Sequence, residues 1–222
     1  MRQEYTYQPL FPVNCYTFRA PAGLAENALK KAKDLEYKSF NPPGGVGTSD
    51  DITTNKDFHY LHRWFQECID TLHCDNGWNC DRLVVNKSWV NRSDARTGEH
   101  HMPHRHPMSY LSGVFYLTEG PPTVLVDPLA QREWAQFHLD GDVHTREVGV
   151  HPGPGGLFLF PSYMVHGSIT NTSEHDRYTI AFNTFPSGQV NSGGWDRSMV
   201  DVAVKGWDDN LGALRLDEYG RD

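Results

Sequence analysis

The sequence lacks the features that mark secreted, membrane-spanning and nucleic-acid-coating proteins. No apolar run approaches the roughly 20 residues that a bilayer crossing needs, and the first residues lack the basic start and apolar stretch of a signal peptide. No basic run stands out, and acidic residues outnumber basic ones by 28 to 20, which disfavours binding to nucleic acid through phosphate neutralisation. We therefore expect a cytoplasmic protein with no membrane or nucleic-acid partner.

The sequence also lacks internal repeats and paired cysteines. Its four cysteines form no C-x-x-C pair, which favours reduced structural thiols over disulfides in a cytosolic compartment. At 222 residues the chain suits a single domain, long enough to bury a substantial core.

The first third of the chain combines one strand with two helices. Residues 5–18 carry tyrosines and β-branched residues around prolines and predict a short edge strand. A helical pattern begins at Pro21, and a Gly-, Pro- and Ser-rich loop follows at 41–54. Asn55 is placed to cap a second helix, whose apolar residues form one stripe.

Beyond residue 80 the pattern changes to many short strands separated by turn signals. The predicted strands cover 82–91, 110–118, 123–126, a hairpin at 136–148, 157–160, 164–170 and 178–185. This order predicts a mainly β protein, a jelly roll (a cupin-like double-stranded β-helix) with the N-terminal helices packed outside.

We expect one domain that spans residues 1–222. It comprises an N-terminal strand and helices (about 1–80), a jelly-roll core (about 82–186) and an irregular C-terminal arm (about 187–222) rich in Gly, Asp and Asn.

Histidines provide the clearest chemical signal, because four of the 12 fall within residues 100–106. His104 and His106 are two residues apart, so both side chains can face one metal from the same side of a strand. His166 lies about sixty residues later and completes a three-histidine set only if the sheet curls on itself, as in a jelly roll. Such a set suits a redox-active first-row metal or zinc. His100 and His101 precede the pair, where loop histidines more often contact substrate or water.

An arginine opens the last predicted strand. Arg177 follows His166 by eleven residues. Thr179, two residues further along the predicted strand, faces the same side of the sheet as Arg177. A buried arginine beside a hydroxyl is suited to a dicarboxylate, because guanidinium binds carboxylate through two parallel hydrogen bonds.

Three segments together resemble a known family. HRHPMSYLSGVFYL, LFLFPSYMVHGS and RYTIAFN are similar to a little-characterised branch of the iron(II)- and 2-oxoglutarate-dependent oxygenases, found in marine bacteria and in phages of cyanobacteria. The resemblance is strong over residues 89–185. It implies iron(II) and 2-oxoglutarate as cofactor and co-substrate, and a host cytoplasm as the location if a phage encodes the protein.

The resemblance also implies roles for individual residues around 2-oxoglutarate. Arg177 matches the arginine that binds its distal carboxylate, with Thr179 beside it. Tyr116 matches a position where oxygenases of the prolyl-hydroxylase type present a tyrosine to the same carboxylate. Asn91, on the preceding strand, is a further candidate donor to the co-substrate.

The sequence departs from the family at the third iron ligand. His104 and His166 match the two iron-binding histidines, but His106 stands where the family usually has a carboxylate, which raises the net charge of the site by one unit. Three hypotheses remain: His106 is a ligand, Asp127 supplies a carboxylate instead, or the position is empty as in halogenating members. We favour His106.

By alternation, Tyr110, Ser112, Val114 and Ala181 are expected to line the pocket. The loops at 41–54 and 131–150 are expected to set substrate selectivity, because loops at a barrel mouth usually carry it.

The family's reaction oxidises 2-oxoglutarate to succinate and carbon dioxide, with hydroxylation of a second substrate as the default outcome. We expect a small-molecule or peptidyl substrate, and the C-terminal arm would suit a homodimer. The alternatives are a three-histidine dioxygenase of the cupin type that does not use 2-oxoglutarate, and a non-catalytic jelly roll that binds a ligand or serves a structural role.

Overall fold

Two antiparallel sheets and two helices make up the computed structural model, which describes residues 12–39, 46–95, 98–128, 146–191 and 200–204. The helices are α1 (Leu24–Ala32) and α2 (His59–Asn76), and α2 is preceded by a 3-10 turn at Lys56–Phe58. The strands are β1 (Tyr16–Arg19), β2 (Lys38–Ser39), β3 (Gly47–Thr48), β4 (Cys80–Ser93), β5 (Leu111–Tyr116), β6 (Thr123–Val126), β7 (Glu147–Val150), β8 (Gly156–Pro161), β9 (His166–Ser168), β10 (Arg177–Val190) and β11 (Val200–Val202).

The larger sheet has the strand order β1-β8-β5-β10-β4-β3-β2, with β11 paired to β10. The smaller sheet has the order β7-β6-β9. Residues 99–106 run along the free side of β9 through an antiparallel bridge between His104 and His166. The prediction of a mainly β jelly roll with N-terminal helices outside is confirmed.

Helix α2 packs its apolar stripe on the outer face of the large sheet. Phe65 is fully buried, and its ring centroid lies 4.5 Å from that of Phe182 and 5.5 Å from that of Phe115. As predicted, Asn55 caps the start of this segment, because its side chain accepts a hydrogen bond from the Asp57 amide. Neither described helix has the length and apolarity needed to span a membrane.

Alternation along β10 gives the two faces of the large sheet different characters. Tyr178, Ile180 and Phe182 belong to the core beneath the helices. Arg177, Thr179 and Ala181 line a cavity between the two sheets. The functional residues predicted on this strand therefore share the inner face.

The described part of the predicted C-terminal arm is more regular than the sequence predicted. Strand β10 continues to Val190, past the expected end at 185, and β11 pairs with it. The extension depends on backbone pairing of β10 with β4, which resumes at Val190 and Cys80 after a register shift. Pairing of this kind can override the weak strand propensity of glycine and asparagine. Residues 1–11 and most of the predicted hairpin at 136–148 lie outside the described residues.

Candidate metal centre

Backbone pairing brings together the three histidines that the sequence singled out. The His104 amide donates to the His166 carbonyl at 2.9 Å, and the His166 amide donates to the His104 carbonyl at 3.0 Å. Two residues on, the His106 amide donates to the Ser162 carbonyl at 3.3 Å. The segment 99–106 is thus held as an added strand, which sets its side chains against β9.

The nitrogen atoms of His104, His106 and His166 lie within 4.8 Å of one another. The Nε2 atoms of His106 and His166 are 3.2 Å apart. Two imidazole nitrogens bound at right angles to one metal, each at about 2.1 Å, would be about 3 Å apart. The spacing is therefore that of neighbouring ligands on a single ion.

Hydrogen bonds to the backbone fix the orientation of two of these rings. Nδ1 of His104 lies 2.7 Å from the Met102 carbonyl, and Nδ1 of His166 lies 3.1 Å from the Met164 carbonyl. A carbonyl oxygen only accepts hydrogen bonds, so Nδ1 of each ring carries the hydrogen and Nε2 presents its lone pair. This is the support that metal-binding histidines usually have.

Burial keeps His106 and His166 neutral. Burial is the main cause that lowers the pKa of His106 to about 3, and His166, His104 and Lys87 contribute to this shift. Burial also lowers the pKa of His166 to about 4, although the hydrogen bond to Met164 opposes this shift. A neutral imidazole is the form that binds a metal, so these two rings require no deprotonation near pH 7.

Asp127 is not part of this group. It follows β6, and its backbone amide donates to the Arg146 carbonyl at 2.8 Å. Among the residues that the structure describes, the three histidines form the one cluster of three or more potential metal-binding side chains. The geometry thus brings His106, rather than Asp127, to the other two histidines.

A cavity of about 50 Å³ extends from the histidines to Arg177. The Arg177 side chain is buried (3 % exposed), and its Nε donates to the Pro121 carbonyl at 2.9 Å. No described carboxylate lies within ion-pair distance of this guanidinium. Burial lowers the pKa of Arg177, which still remains a cation at neutral pH. A buried cation with no carboxylate partner among the described residues is suited to an anionic ligand.

Thr179 and Asn91 occupy facing positions on β10 and β4, and both line this cavity. Thr179 is 2 % exposed and Asn91 is 6 % exposed. The Asn91 side-chain oxygen accepts a hydrogen bond from Thr48 at 3.3 Å. Since that oxygen is engaged, the Asn91 amide nitrogen is the group suited to an anionic ligand.

Tyr116 lies beside Arg177, and its hydroxyl takes part in several hydrogen bonds. It is not among the residues that line the cavity. Its hydroxyl donates to the Val150 carbonyl at 2.9 Å and accepts from the Thr123 amide at 3.0 Å. The Arg177 guanidinium lies 5.4 Å from the centre of its ring. Tyr116 therefore supports the arginine through its ring and hydrogen bonds, rather than by directing a free hydroxyl into the cavity.

Comparison with known proteins identifies this combination. Residues 87–183 match the family model for 2OG-Fe(II) oxygenases, where 2OG is 2-oxoglutarate. Over these residues the chain is similar to this oxygenase family. None of the curated proteins matches the sequence.

Several solved structures of such oxygenases share the fold. The α-ketoglutarate-dependent epimerase SnoN from nogalamycin biosynthesis has a TM-score of 0.64 at 12% identity, covering 87% of this chain and 91% of its own. HygX from Streptomyces hygroscopicus, solved with nickel, 2-oxoglutarate and hygromycin B, has a TM-score of 0.57 at 14% identity, covering 89% and 95%. A Pseudomonas putida prolyl-4-hydroxylase has a TM-score of 0.55 at 14% identity, covering 79% and 94%.

The site fits both iron(II) and 2-oxoglutarate. Three imidazoles provide the metal-binding nitrogens, and the buried Arg177 provides the cation for a carboxylate. Gly120 (φ 148°) lies against the arginine side chain, where an added Cβ would approach it to 3.1 Å. The absence of a side chain at Gly120 thus lets the loop after β5 pack against the aliphatic part of the Arg177 side chain.

A second, larger cleft of about 660 Å³ also lies against the histidines, and we call it the outer cleft. The cavity that contains Arg177 is the inner cavity. Part of the wall of the outer cleft is the stretch 46–51, which belongs to the loop expected to set selectivity. Trp89 lines both the outer cleft and the inner cavity. Its ring stacks on that of His106 at a centroid distance of 5.5 Å. The sequence did not single out Trp89, although its place two residues before Asn91 on one strand puts it on the same face.

Three of the four predicted pocket residues line the inner cavity: Ser112, Val114 and Ala181. The prediction for Tyr110 is wrong. Tyr110 precedes β5, is 44 % exposed, and packs edge-on against Trp78 at 5.2 Å. The alternation that would have turned it inward begins only at Leu111, where the strand starts.

Proposed function

We propose that the protein is a hydroxylase that uses a three-histidine iron(II) centre and 2-oxoglutarate. In the balanced reaction, 2-oxoglutarate, dioxygen and a substrate C–H group give succinate, carbon dioxide and a C–OH group, with one oxygen atom in each organic product. The bound iron and 2-oxoglutarate supply this oxidising chemistry. The observation that carries the proposal is a cavity with three converging histidines at one end and the buried Arg177 at the other, where no described carboxylate pairs with the guanidinium.

The chain's own residues would bind and orient the reactants. His104, His106 and His166 would hold the metal, and Arg177 would hold the distal carboxylate of 2-oxoglutarate, with Thr179 next to it. The histidines and Arg177 line one cavity, which suits a co-substrate that binds the metal and the arginine at the same time. Apolar groups on the cavity wall would exclude water from the reacting atoms.

The outer cleft is the place that we propose for the second substrate, a small molecule or a peptidyl side chain. It lies against His104, His106 and Trp89, so a bound molecule would reach the metal side of the site. Hydroxylation is favoured over epimerisation because epimerisation must return a hydrogen atom to carbon. Tyrosine and cysteine are suitable donors of such an atom, and neither occurs among the described residues that line the cleft.

Anaerobic titration with iron(II), with and without 2-oxoglutarate, tests the site. The iron–2-oxoglutarate chelate has a weak visible charge-transfer band, which we expect in the wild type only when both are present. Arg177→Ala should weaken the band at a given 2-oxoglutarate concentration, and His106→Ala should abolish it. Arg92→Ala is the matched control, because Arg92 is a half-buried arginine of the same sheet that is already paired with Asp94 and Asp176.

The same titration separates the alternatives. Iron binding without a band in the wild type would contradict the proposed site and favour a dioxygenase of the cupin type that does not use 2-oxoglutarate. A full band in His106→Ala would direct attention to Asp127 as the third ligand. Absence of specific iron binding would favour a non-catalytic jelly roll.

Hydroxylation itself is tested with ¹⁸O₂ on candidate substrates. The expected result is one labelled oxygen in succinate and one in the organic product. A product that is desaturated, cyclised or inverted, with no added oxygen, would contradict the hydroxylase assignment.

The location and assembly of the protein form part of this proposal. We propose that it acts in the cytoplasm, in keeping with the four cysteines, which are all unpaired thiols in the structure. We also propose a homodimer, which sedimentation of the full chain would test.

A further inference from the structure

A fourth histidine at the site has no role in the arrangement described so far. Nε2 of His101 is buried and has no hydrogen-bond partner. The ring makes no hydrogen bond with any described residue, and it lines both the inner cavity and the outer cleft. Buried polar atoms are nearly always paired in folded proteins, so an unpaired nitrogen on a ring that lines a ligand cavity indicates a function.

The fold holds the backbone of His101 firmly in place. The His101 amide donates to the Ser168 side chain at 2.9 Å, and its carbonyl accepts from the Ser168 amide at 3.1 Å. Between these contacts the carbonyl passes Gly167 so closely that an added Cβ would lie 2.6 Å from its oxygen. The backbone is therefore fixed on both sides, and only a glycine at 167 permits this approach.

The surroundings of His101 differ from those of a metal ligand. Nδ1 of His104 and of His166 lies beside a backbone carbonyl that orients the ring, whereas His101 has no such contact. His101 is also absent from the group of converging nitrogens. Its ring centroid lies 5.7 Å from that of His104, which places it next to the metal group without being a member.

The position of the His101 ring favours contact with an anion, because the ring lines the same cavity as the Arg177 side chain. A neutral imidazole that carries its hydrogen on Nε2 is a donor to a carboxylate. The anion suited to this place is the one that Arg177 would also bind.

We propose that His101 is a positioning residue for the co-substrate, whose Nε2 hydrogen donates to a carboxylate oxygen of 2-oxoglutarate. This inference rests on the proposed function. Arg177 alone would hold the distal carboxylate as a fixed point, and a second donor from the loop before the metal group would restrict rotation of the co-substrate. His101 thus links 2-oxoglutarate binding to the loop that carries two of the three histidines.

The test is calorimetric titration of 2-oxoglutarate into the full chain loaded with nickel(II), which does not support turnover. Loss of a hydrogen bond to a charged group weakens binding by about 10- to 100-fold. We therefore expect a Kd at least about 10-fold higher in His101→Ala. His101→Gln retains an N–H donor and should remain within about threefold of the wild type.

Two controls isolate this role. Nickel affinity without 2-oxoglutarate should be equal in the wild type, His101→Ala and His101→Gln, because His101 is not a metal ligand. His100→Ala is the matched neighbour, since the His100 ring lines the outer cleft and its Nδ1 contacts the Gly98 carbonyl at 3.1 Å. Its affinity for 2-oxoglutarate should equal that of the wild type.

The outcomes distinguish the inference from the proposed function. Wild-type affinity for 2-oxoglutarate in His101→Ala, with loss in Arg177→Ala, would overturn the role of His101 and leave the proposed function in place. Loss of nickel binding in His101→Ala would overturn it by making His101 a ligand. A wild-type protein that binds nickel but not 2-oxoglutarate would overturn both.

Discussion

The two faces of β10 differ in what they contribute, although they share one backbone. On the outer face, Ile180 and Phe182 are fully buried beneath α2. On the inner face, Arg177 is buried to nearly the same extent but has no carboxylate partner among the described residues. Apolar burial stabilises the fold by about 25 cal/mol per Å², whereas an unpaired buried charge costs stability.

The difference shows how this fold separates stability from chemistry. Alternation places successive side chains on opposite faces, so a functional group on one face need not interrupt the core on the other. The helices cover the stabilising face, and the small sheet with residues 99–106 covers the reactive one. Substitutions on the outer face should therefore change unfolding, and those on the inner face should change binding.

The largest expected effect is on the outer face, at Phe65 of α2. Phe65→Ala removes a fully buried ring between Phe115 and Phe182 and should lower the free energy of unfolding by about 3–5 kcal/mol. Urea denaturation of the metal-free protein measures this change.

Phe65→Leu provides a milder comparison and should cost less, because it leaves a smaller cavity. Nickel affinity of both variants, measured below their unfolding transitions, should stay within about twofold of the wild type. A strong loss of nickel binding in folded Phe65→Leu would show that the two faces are coupled.

The inner face should give the opposite result at Arg177. Arg177→Met keeps much of the side-chain volume but removes the unpaired charge, so the metal-free protein should become more stable by about 1–3 kcal/mol. The same change should raise the Kd for 2-oxoglutarate about 100-fold, equivalent to about 3 kcal/mol. Urea denaturation and calorimetry on one preparation measure both quantities.

Arg92→Met is the control for this pair of measurements. Arg92 is half-buried and paired with Asp94 and Asp176, so its loss should lower stability slightly and leave 2-oxoglutarate binding intact. If Arg177→Met is destabilised as Arg92→Met is, then the buried guanidinium is a structural group and the contrast between the faces fails.

The sequence predicted which residues lie on each face of β10 better than it predicted the hydrogen bonds that they make with other strands. The period of two in RYTIAFN assigned Arg177 and Thr179 to one side, because alternation follows directly from strand geometry. It could not show that the Tyr116 hydroxyl is already bonded to Val150 and Thr123. Such contacts join residues distant in the chain, and they depend on the register between strands.

Register also explains what was missed around the metal. The cluster at 100–106 drew attention to all of its histidines alike, and its pattern did not distinguish the ring of His101 from those of His104 and His106. The distinction comes from the pairing of this segment with β9, which sets His104 opposite His166 and His101 opposite Ser168. Asp127 was weighed as a ligand because it ends a strand, but its direction depends on pairing in the same small sheet.

A third prediction concerns His62, a buried histidine of α2, and a pH-dependent change of about 2 kcal/mol in the free energy of unfolding. The pKa of His62 is lowered to about 4, mainly by burial and to a smaller extent by the nearby His59. Asp51 opposes this shift. The unfolded chain, with an ordinary histidine pKa near 6.5, binds the proton more readily than the folded one. The stability that His62 contributes is therefore complete above about pH 6.5 and is lost as the pH falls towards 4.

Urea denaturation of the metal-free protein at pH 7 and pH 5 measures this loss. His62→Asn should remove about 2 kcal/mol of the difference between the two pH values, because the exchanged proton is gone. The other histidines are the same in both proteins, so their contributions cancel in the comparison. An unchanged pH dependence in His62→Asn would show that burial does not keep His62 neutral in the folded protein.

The smallest expected effect tests how the inner face is assembled, at Gly167. Gly167→Ala places a Cβ 2.6 Å from the His101 carbonyl, so the segment 99–106 must move away from β9. Because that segment carries His104 and His106, nickel affinity should fall about 10-fold, equivalent to about 1.4 kcal/mol. Gly149→Ala is the matched control in the same small sheet, since its Cβ would meet only the Pro122 ring at 3.2 Å. If Gly167→Ala binds nickel as tightly as Gly149→Ala, the metal group does not depend on backbone pairing of the segment 99–106 with β9. The inner face would then tolerate a shift of that segment, unlike the closely packed outer face.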